Sequence, residues 1–311
     1  MAGDDSARDQ RLRRALASLD GLSVGDAFGQ RFFGPEDEVL RRLARRTLPQ
    51  APWRYTDDTE MAIAIVEILR SHDSVDQDAL ALAFARRYAA DPGRGYGQAA
   101  HEILQKIGAQ VPWRWAAQQA FDGAGSMGNG AAMRAAPVGA YFADDLDVVV
   151  EQARASAEVT HHHADGQAGA IAVAVAAAWA MRVGEGRTRS ASARLLETVL
   201  QYTPPGATRD GIERALQLPL ISSIDDAVNA LGNGGQVIAS DTVPFALWCA
   251  ARHIDNYQAA LWATVSGLGD RDTTCAIVGG IVVLAADRLS IPPAWLAARE
   301  PLALAAPPRP T

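Results

Sequence analysis

YTDDTEMAIAIVEILR, residues 55–70, decides how the rest of the chain is read. Over 60–70 it is apolar on nearly every side, the pattern of a helix sunk in a core. Thr56, Asp57, Asp58 and Thr59 stand at its start. A second stretch, GDRDTTCAIVGGI at 269–281, repeats the arrangement, with Asp270, Asp272 and Thr273 ahead of another apolar run over 276–287. Helix starts favour carboxylates because their free amides and dipole are partly positive, and one cap contributes about 1 kcal/mol. Capping accounts for one acid per start, but not for Asp57 beside Asp58, or for Asp270 and Asp272 both adjoining a core helix. Converging carboxylates repel one another, and a bound cation relieves the repulsion. Oxygen donors alone, here the carboxylates with the Thr56 and Thr273 hydroxyls, suit hard ions such as Mg2+ or Mn2+ rather than Zn2+. Two such clusters meeting would hold two ions about 4 Å apart. Spacing by itself leaves capping and metal binding both open.

Outward from these stretches the helical pattern recurs. Residues 11–28, 77–90, 168–181, 236–251 and 257–265 read as further helices. Nothing alternates with period two for long enough to require a sheet. Of the 311 residues, 49% are apolar, and alanine, the best helix former, dominates that share. The proline-glycine break within 202–209 separates two helices without the length of a domain linker. The expectation is a single all-α, multi-helix domain over 8–300, with an extended or frayed tail over 301–311.

The net charge of −7 comes with no basic stripe, which argues against a nucleic-acid partner. Arg41, Arg42, Arg45 and Arg46 read as the wet face of a helix. The two cysteines, Cys249 and Cys275, lie in apolar helical stretches and read as buried small hydrophobes. The first residues are charged and lack a secretory apolar core, and the run 168–181 is shorter than the roughly 20 residues that span a bilayer. A soluble, cytoplasmic protein with no membrane partner is expected.

Residues 123–128, GAGSMG, match the dinucleotide fingerprint G-x-G-x-x-G literally. That motif must follow a buried strand, and the preceding WRWAAQQAFD reads as helix, so the Rossmann reading fails. The loop still suits an anion cradle, since its glycines let backbone N–H groups turn to a phosphate and Ser126 and Asn129 add donors. A tight turn between helices explains it equally well. A second glycine-rich loop holds Gly95, Tyr96 and Gly97, where the tyrosine could stack on or hydrogen-bond a ligand. His161, His162 and His163 point in different directions, unlike the i, i+4 pair of a zinc helix, so one functional histidine with two bystanders is preferred.

Taken in order, GLSVGDAFG at 21–29, YTDDTEMA at 55–62, GSMGNGAAMRAAPVG at 125–139, VTHHH at 159–163 and GDRDTTCAIVGGI at 269–281 resemble the ADP-ribosylglycohydrolase family over almost the whole chain. The resemblance implies an all-α fold with a binuclear Mg2+ or Mn2+ centre. It implies hydrolysis of the bond between ADP-ribose and its acceptor, an ADP-ribosylated protein or a small ADP-ribosyl conjugate. Carried over by position, the metal ligands are Thr56, Asp57, Asp58, Asp270, Asp272 and Thr273, with Asp57, Asp58 and Asp272 central to catalysis. Gly125, Ser126, Gly128, Asn129 and His161 hold the diphosphate, and Phe121 falls where a family aromatic lies against adenine. Three positions depart from the family pattern. Phe33 stands where many members carry a glutamate, Leu268 replaces a glycine, and Arg271 sits where a small residue is commoner. The general base is then Glu36, the nearest acid to Phe33, or Asp91. The rival readings are a catalytically silent ADP-ribose-binding or structural member of the same fold, and a hydrolase of another phosphate-bearing metabolite.

Overall fold

The computed structural model describes residues 2–186, 192–286 and 288–304. Among them run α1 (Ala2–Gln30), α2 (Glu36–Ala44), α3 (Asp57–His72), α4 (Gln77–Ala90), α5 (Gln98–Gly108), α6 (Trp113–Gln118), α7 (Ala136–Tyr141) and α8 (Leu146–Glu158). The chain continues through α9 (Ala164–Gly184), α10 (Ser192–Tyr202), α11 (Ala207–Gln217), α12 (Ile224–Leu231), α13 (Ala239–Arg252), α14 (Tyr257–Ser266), α15 (Arg271–Ala286) and α16 (Pro293–Ala298). The described residues contain no β-strand, only isolated bridges between Trp53 and Arg299 and between Gly128 and Ile238. The all-α expectation holds.

The centre of the fold is the crossing of α1 and α15. Gly21, Gly25 and Gly29 recur every fourth residue along one face of α1, and a Cβ on any of them would overlap the backbone of Gly279, Cys275 or Arg271. The missing side chains let the two backbones touch, a gain from packing that outweighs the usual cost of glycine inside a helix. Ser18 Oγ donates to the Gly280 carbonyl across this crossing (2.9 Å), and Tyr257 Oη of α14 donates to the Gly21 carbonyl beside it (2.6 Å). The approach has a chemical result, because it carries Asp26 of α1 to Asp272 at the start of α15.

Several helices are longer than their sequence pattern. α1 runs through GLSVGDAFG without interruption, and α15 starts at Arg271, so Asp272 and Thr273 lie in its first turn. α13 starts at Ala239 rather than 236, since Val237 takes a positive φ of 57° and its carbonyl receives the Asn129 amide at 3.2 Å. α9 is long and apolar enough by composition to cross a membrane, yet 78% of its apolar window is buried inside the protein. Of the expected tail, 301–304 has no regular secondary structure and 305–311 lies outside the described residues, as does Asp287 of the run 276–287. Phe28, Trp53 and Trp295 pack together, with Phe28 and Trp295 stacked at 4.7 Å, which fixes the approach to α3.

Candidate functional site

Asp26 organises the site. Fully buried, it accepts from the Thr56 amide (2.9 Å) and hydroxyl (2.9 Å) and from the Thr59 amide (3.1 Å) and hydroxyl (2.5 Å). The free amides at the start of α3 are thus capped from another helix, while the N-cap residue Thr56 makes no cap bond of its own. The Thr56 hydroxyl also meets Asp58 Oδ2 at 3.0 Å. Carboxylate oxygens of Asp26, Asp58 and Asp272 lie within 4.8 Å of one another. Asp26 is the ligand candidate that sequence reasoning passed over, and its signal was a lone acid in the apolar, glycine-spaced segment GLSVGDAFG.

The other expected acids flank this trio. The Asp57 amide donates to the Arg94 carbonyl at 2.9 Å, and a Cβ on Gly95, whose φ is +98°, would sit 3.4 Å from Asp57 Oδ1. The second glycine loop therefore lies against this carboxylate. Asp270 Oδ2 receives Asn129 Nδ2 at 2.7 Å, and Thr273, buried, donates its amide to Asp272 Oδ1 at 3.0 Å.

Burial, then repulsion from Asp26, pushes Asp57 up to about 7. Burial also lifts Asp26 to about 6, against the hydrogen bonds from Thr59 and Thr56 that favour its ionised form. Asp58 is raised by burial and by Asp26 and Asp272, and Asp272 by burial and by Asp270. Such a cluster cannot carry all its charges without a counter-ion. Asp58 Oδ1 is buried with no hydrogen-bond partner, and the donors are oxygens throughout. These residues fit a hard divalent cation.

Beside the cluster lies the loop after α6. Gly125 has a φ of +74°, and a Cβ there would meet His162 at 2.7 Å, so no larger residue fits. Ser126 Oγ receives the Gly128 amide at 3.1 Å. His161 is buried, with Nε2 3.4 Å from where a Gly128 Cβ would be. Burial and then Arg134 press it down to about 3, so the ring is neutral. Arg134 Nη2 donates to the Thr160 hydroxyl (2.8 Å), which leaves that hydroxyl's hydrogen for His161 Nδ1 (2.7 Å). The ring proton is then on Nε2, a donor facing the glycines. Arg134, fully buried and donating to the Gly130 carbonyl at 2.8 Å, props the loop from beneath and was not singled out from sequence.

Asn129 needs a correction. Its Nδ2 is spent on Asp270 and on Thr242 Oγ1 (3.0 Å), and its backbone amide on Val237, so its N–H groups are not free for a diphosphate. It brackets the loop to the acid cluster instead. Tyr96 is also buried, edge-to-face on Tyr88 at 5.1 Å, so its ring offers no stacking surface, though its hydroxyl has no partner. Gly97 caps α5. Phe121 is 62% exposed beside the loop, with Met127 and Val237 also exposed. Asp91 is engaged by Arg94 (3.0 Å) and Arg54 (3.4 Å), whereas Glu36 is exposed at the start of α2 and its charge reaches Arg271.

The family model for ADP-ribosylglycohydrolase matches residues 7–306. The chain is 28% identical over 330 residues to the ADP-ribosylhydrolase ARH3 of Homo sapiens, covering 91% of this chain and 88% of that one. It is similarly 28% identical over 321 residues to the Danio rerio ARH3, with 91% and 85% covered. A solved structure described as an ADP-ribosylglycohydrolase-related protein complex superposes with a TM-score of 0.67 at 25% identity, covering 94% of this chain and 93% of that chain.

Proposed function

The chain belongs to the ADP-ribosylglycohydrolase family, and on that premise we propose that it is a divalent-cation-dependent hydrolase releasing ADP-ribose from a protein side chain or small conjugate. The observation that carries this reading is the carboxylate trio of buried Asp26 and Asp58 with half-buried Asp272, joined through Asp270 and Asn129 to a glycine loop with a neutral histidine donor.

Asp26, Asp58 and Asp272 would hold two Mg2+ or Mn2+ ions together with Asp57, Asp270 and the Thr56 and Thr273 hydroxyls. Bound there, the cations would supply Lewis acidity for activating the ribose and the attacking water. The Ser126 hydroxyl and His161 Nε2 donate to the diphosphate, with Gly125 and Gly128 leaving room for it, since the Gly125 amide is taken by the Ala120 carbonyl (2.9 Å) and the Gly128 amide by Ser126 Oγ (3.1 Å). Binding energy far from the reacting bond then orients the distal ribose. Cleavage at its anomeric carbon passes through an oxocarbenium-like transition state, which the surrounding carboxylates favour electrostatically. Glu36, free of ion pairs among the described residues, is the better candidate to take the proton of the attacking water, since Asp91 is held by two arginines. Phe121 offers an exposed ring to adenine.

Release of ADP-ribose from arginine-linked and serine-linked substrates, each with Mg2+, Mn2+ or chelator, tests this. Cation-dependent release from one of them supports it. ADP-ribose binding without release from either would favour the catalytically silent reading.

A further inference from the structure

Opposite the glycine loop, the chain sets a cation beside its acid cluster. Asp270 turns toward Asn129 and the loop, but the next residue, Arg271, turns toward the end of α1. Its Nη1 donates to the Phe32 carbonyl at 2.6 Å, and its guanidinium carbon lies 4.8 Å from the centroid of the Phe33 ring. Phe33 is 46% exposed. The two side chains thus form a flat, positively charged step at the solvent edge of the cluster, held by cation–π contact. No ion pair satisfies Arg271 among the described residues, and its Nε is buried without a partner. The neighbouring charges on it are Asp272 from within the cluster and Glu36 from the solvent side.

We infer that Arg271, backed by Phe33, is a specificity-determining residue for the acceptor, favouring one with an oxyanion beside the scissile bond and disfavouring a cationic guanidine. The inference rests on the ADP-ribosyl reading of the site. With the diphosphate at the glycine loop and the distal ribose over the acids, the acceptor leaves on the remaining side, where Arg271 stands. A guanidinium is a planar donor suited to phosphate or carboxylate, and it repels a second guanidinium at close range.

The test is calorimetric binding in chelator, with wild type, Arg271→Gln and Arg271→Lys. One arm compares ADP-ribose with ADP-ribose 1″-phosphate, and the other compares ADP-ribosylserine peptides carrying a neighbouring glutamate or lysine. Arg271→Gln should lower the preference for the anionic ligand about tenfold, the size of one charge-assisted hydrogen bond, while free ADP-ribose affinity stays within about twofold. Arg271→Lys, which keeps the charge, should retain most of the preference and shows that the change is not a folding defect. A drop in the first arm alone assigns phosphate, and in the second alone carboxylate. Equal preference in wild type and Arg271→Gln in both arms overturns the inference. Failure of wild type to bind ADP-ribose both in chelator and with Mn2+ restored overturns instead the reading on which it rests.

Discussion

Replacing Asp26 separates its two roles. In Asp26→Ala the Thr56 and Thr59 amides lose their shared acceptor while still buried. An unsatisfied buried donor costs about 1–3 kcal/mol, so the pair costs about 4 kcal/mol. At about 2 °C per kcal/mol for a chain of this size, the melting temperature in chelator falls by roughly 8 °C. Asp26→Asn behaves differently. Its amide oxygen, placed where Oδ2 now lies, keeps both backbone amides and the Thr59 hydroxyl, while its NH2 group faces the Thr56 hydroxyl, which can accept, and gives up only the longer of the two Thr56 amide contacts (3.1 Å, against 2.9 Å to Oδ2). The substitution also removes one negative charge from a crowded cluster. Asp26→Asn should therefore melt in chelator no lower than wild type. Added Mn2+ tells the opposite story, since saturation at 100 times the dissociation constant stabilises wild type by about 2.7 kcal/mol and should leave Asp26→Asn nearly unmoved. Thermal melts of the three proteins, with chelator and with Mn2+, read both effects. A fall in chelator for Asp26→Asn as large as that of Asp26→Ala, or an intact Mn2+ shift, would refute the reasoning.

Asp26 and Asp57 are raised from 3.8 to about 6 and about 7, so the folded state binds more protons than the unfolded one across that window. Stability in chelator should be greatest below pH 4 as far as these groups are concerned and decline up to about pH 7; a rise over that range in urea melts would contradict the burial argument. Glu300 accepts from the Tyr55 amide at 3.0 Å and from Arg94, whose carbonyl holds the Asp57 amide. Glu300→Ala should cost about 2 kcal/mol and weaken Mn2+ binding several-fold, seen as a smaller Mn2+ shift in thermal melts, whereas an unchanged shift would show that this segment does not position Asp57. Glu36→Gln should lower kcat by about 100-fold or more with ADP-ribose affinity retained, and Asp91→Asn should lower it far less; the reverse order would move the base to Asp91.

The helical class and the two acid-bearing helix starts were legible because apolar faces without period-two alternation leave little choice of element. Less visible were the places where distant segments meet. Gly21, Gly25 and Gly29 weaken a helix when read locally, and only the contact with α15 shows why they are there, so the length of α1 and the role of Asp26 stayed hidden together. Asn129 is a plausible phosphate donor until both partners of its Nδ2 are known. Tyr96 looks like a stacking residue until Tyr88 covers it. Phe33 and Arg271 stand out separately in the sequence, and their contact is tertiary.

The central claim is that the acid cluster binds the cations on which release of ADP-ribose depends. The most direct measurement is a Mn2+ titration of metal-stripped protein, reading bound Mn2+ by electron paramagnetic resonance and ADP-ribose release in the same samples. The account predicts release rising with occupancy to about two ions per chain, and loss of both in Asp58→Asn. Full release from metal-stripped protein, or release in Asp58→Asn equal to wild type, would contradict it.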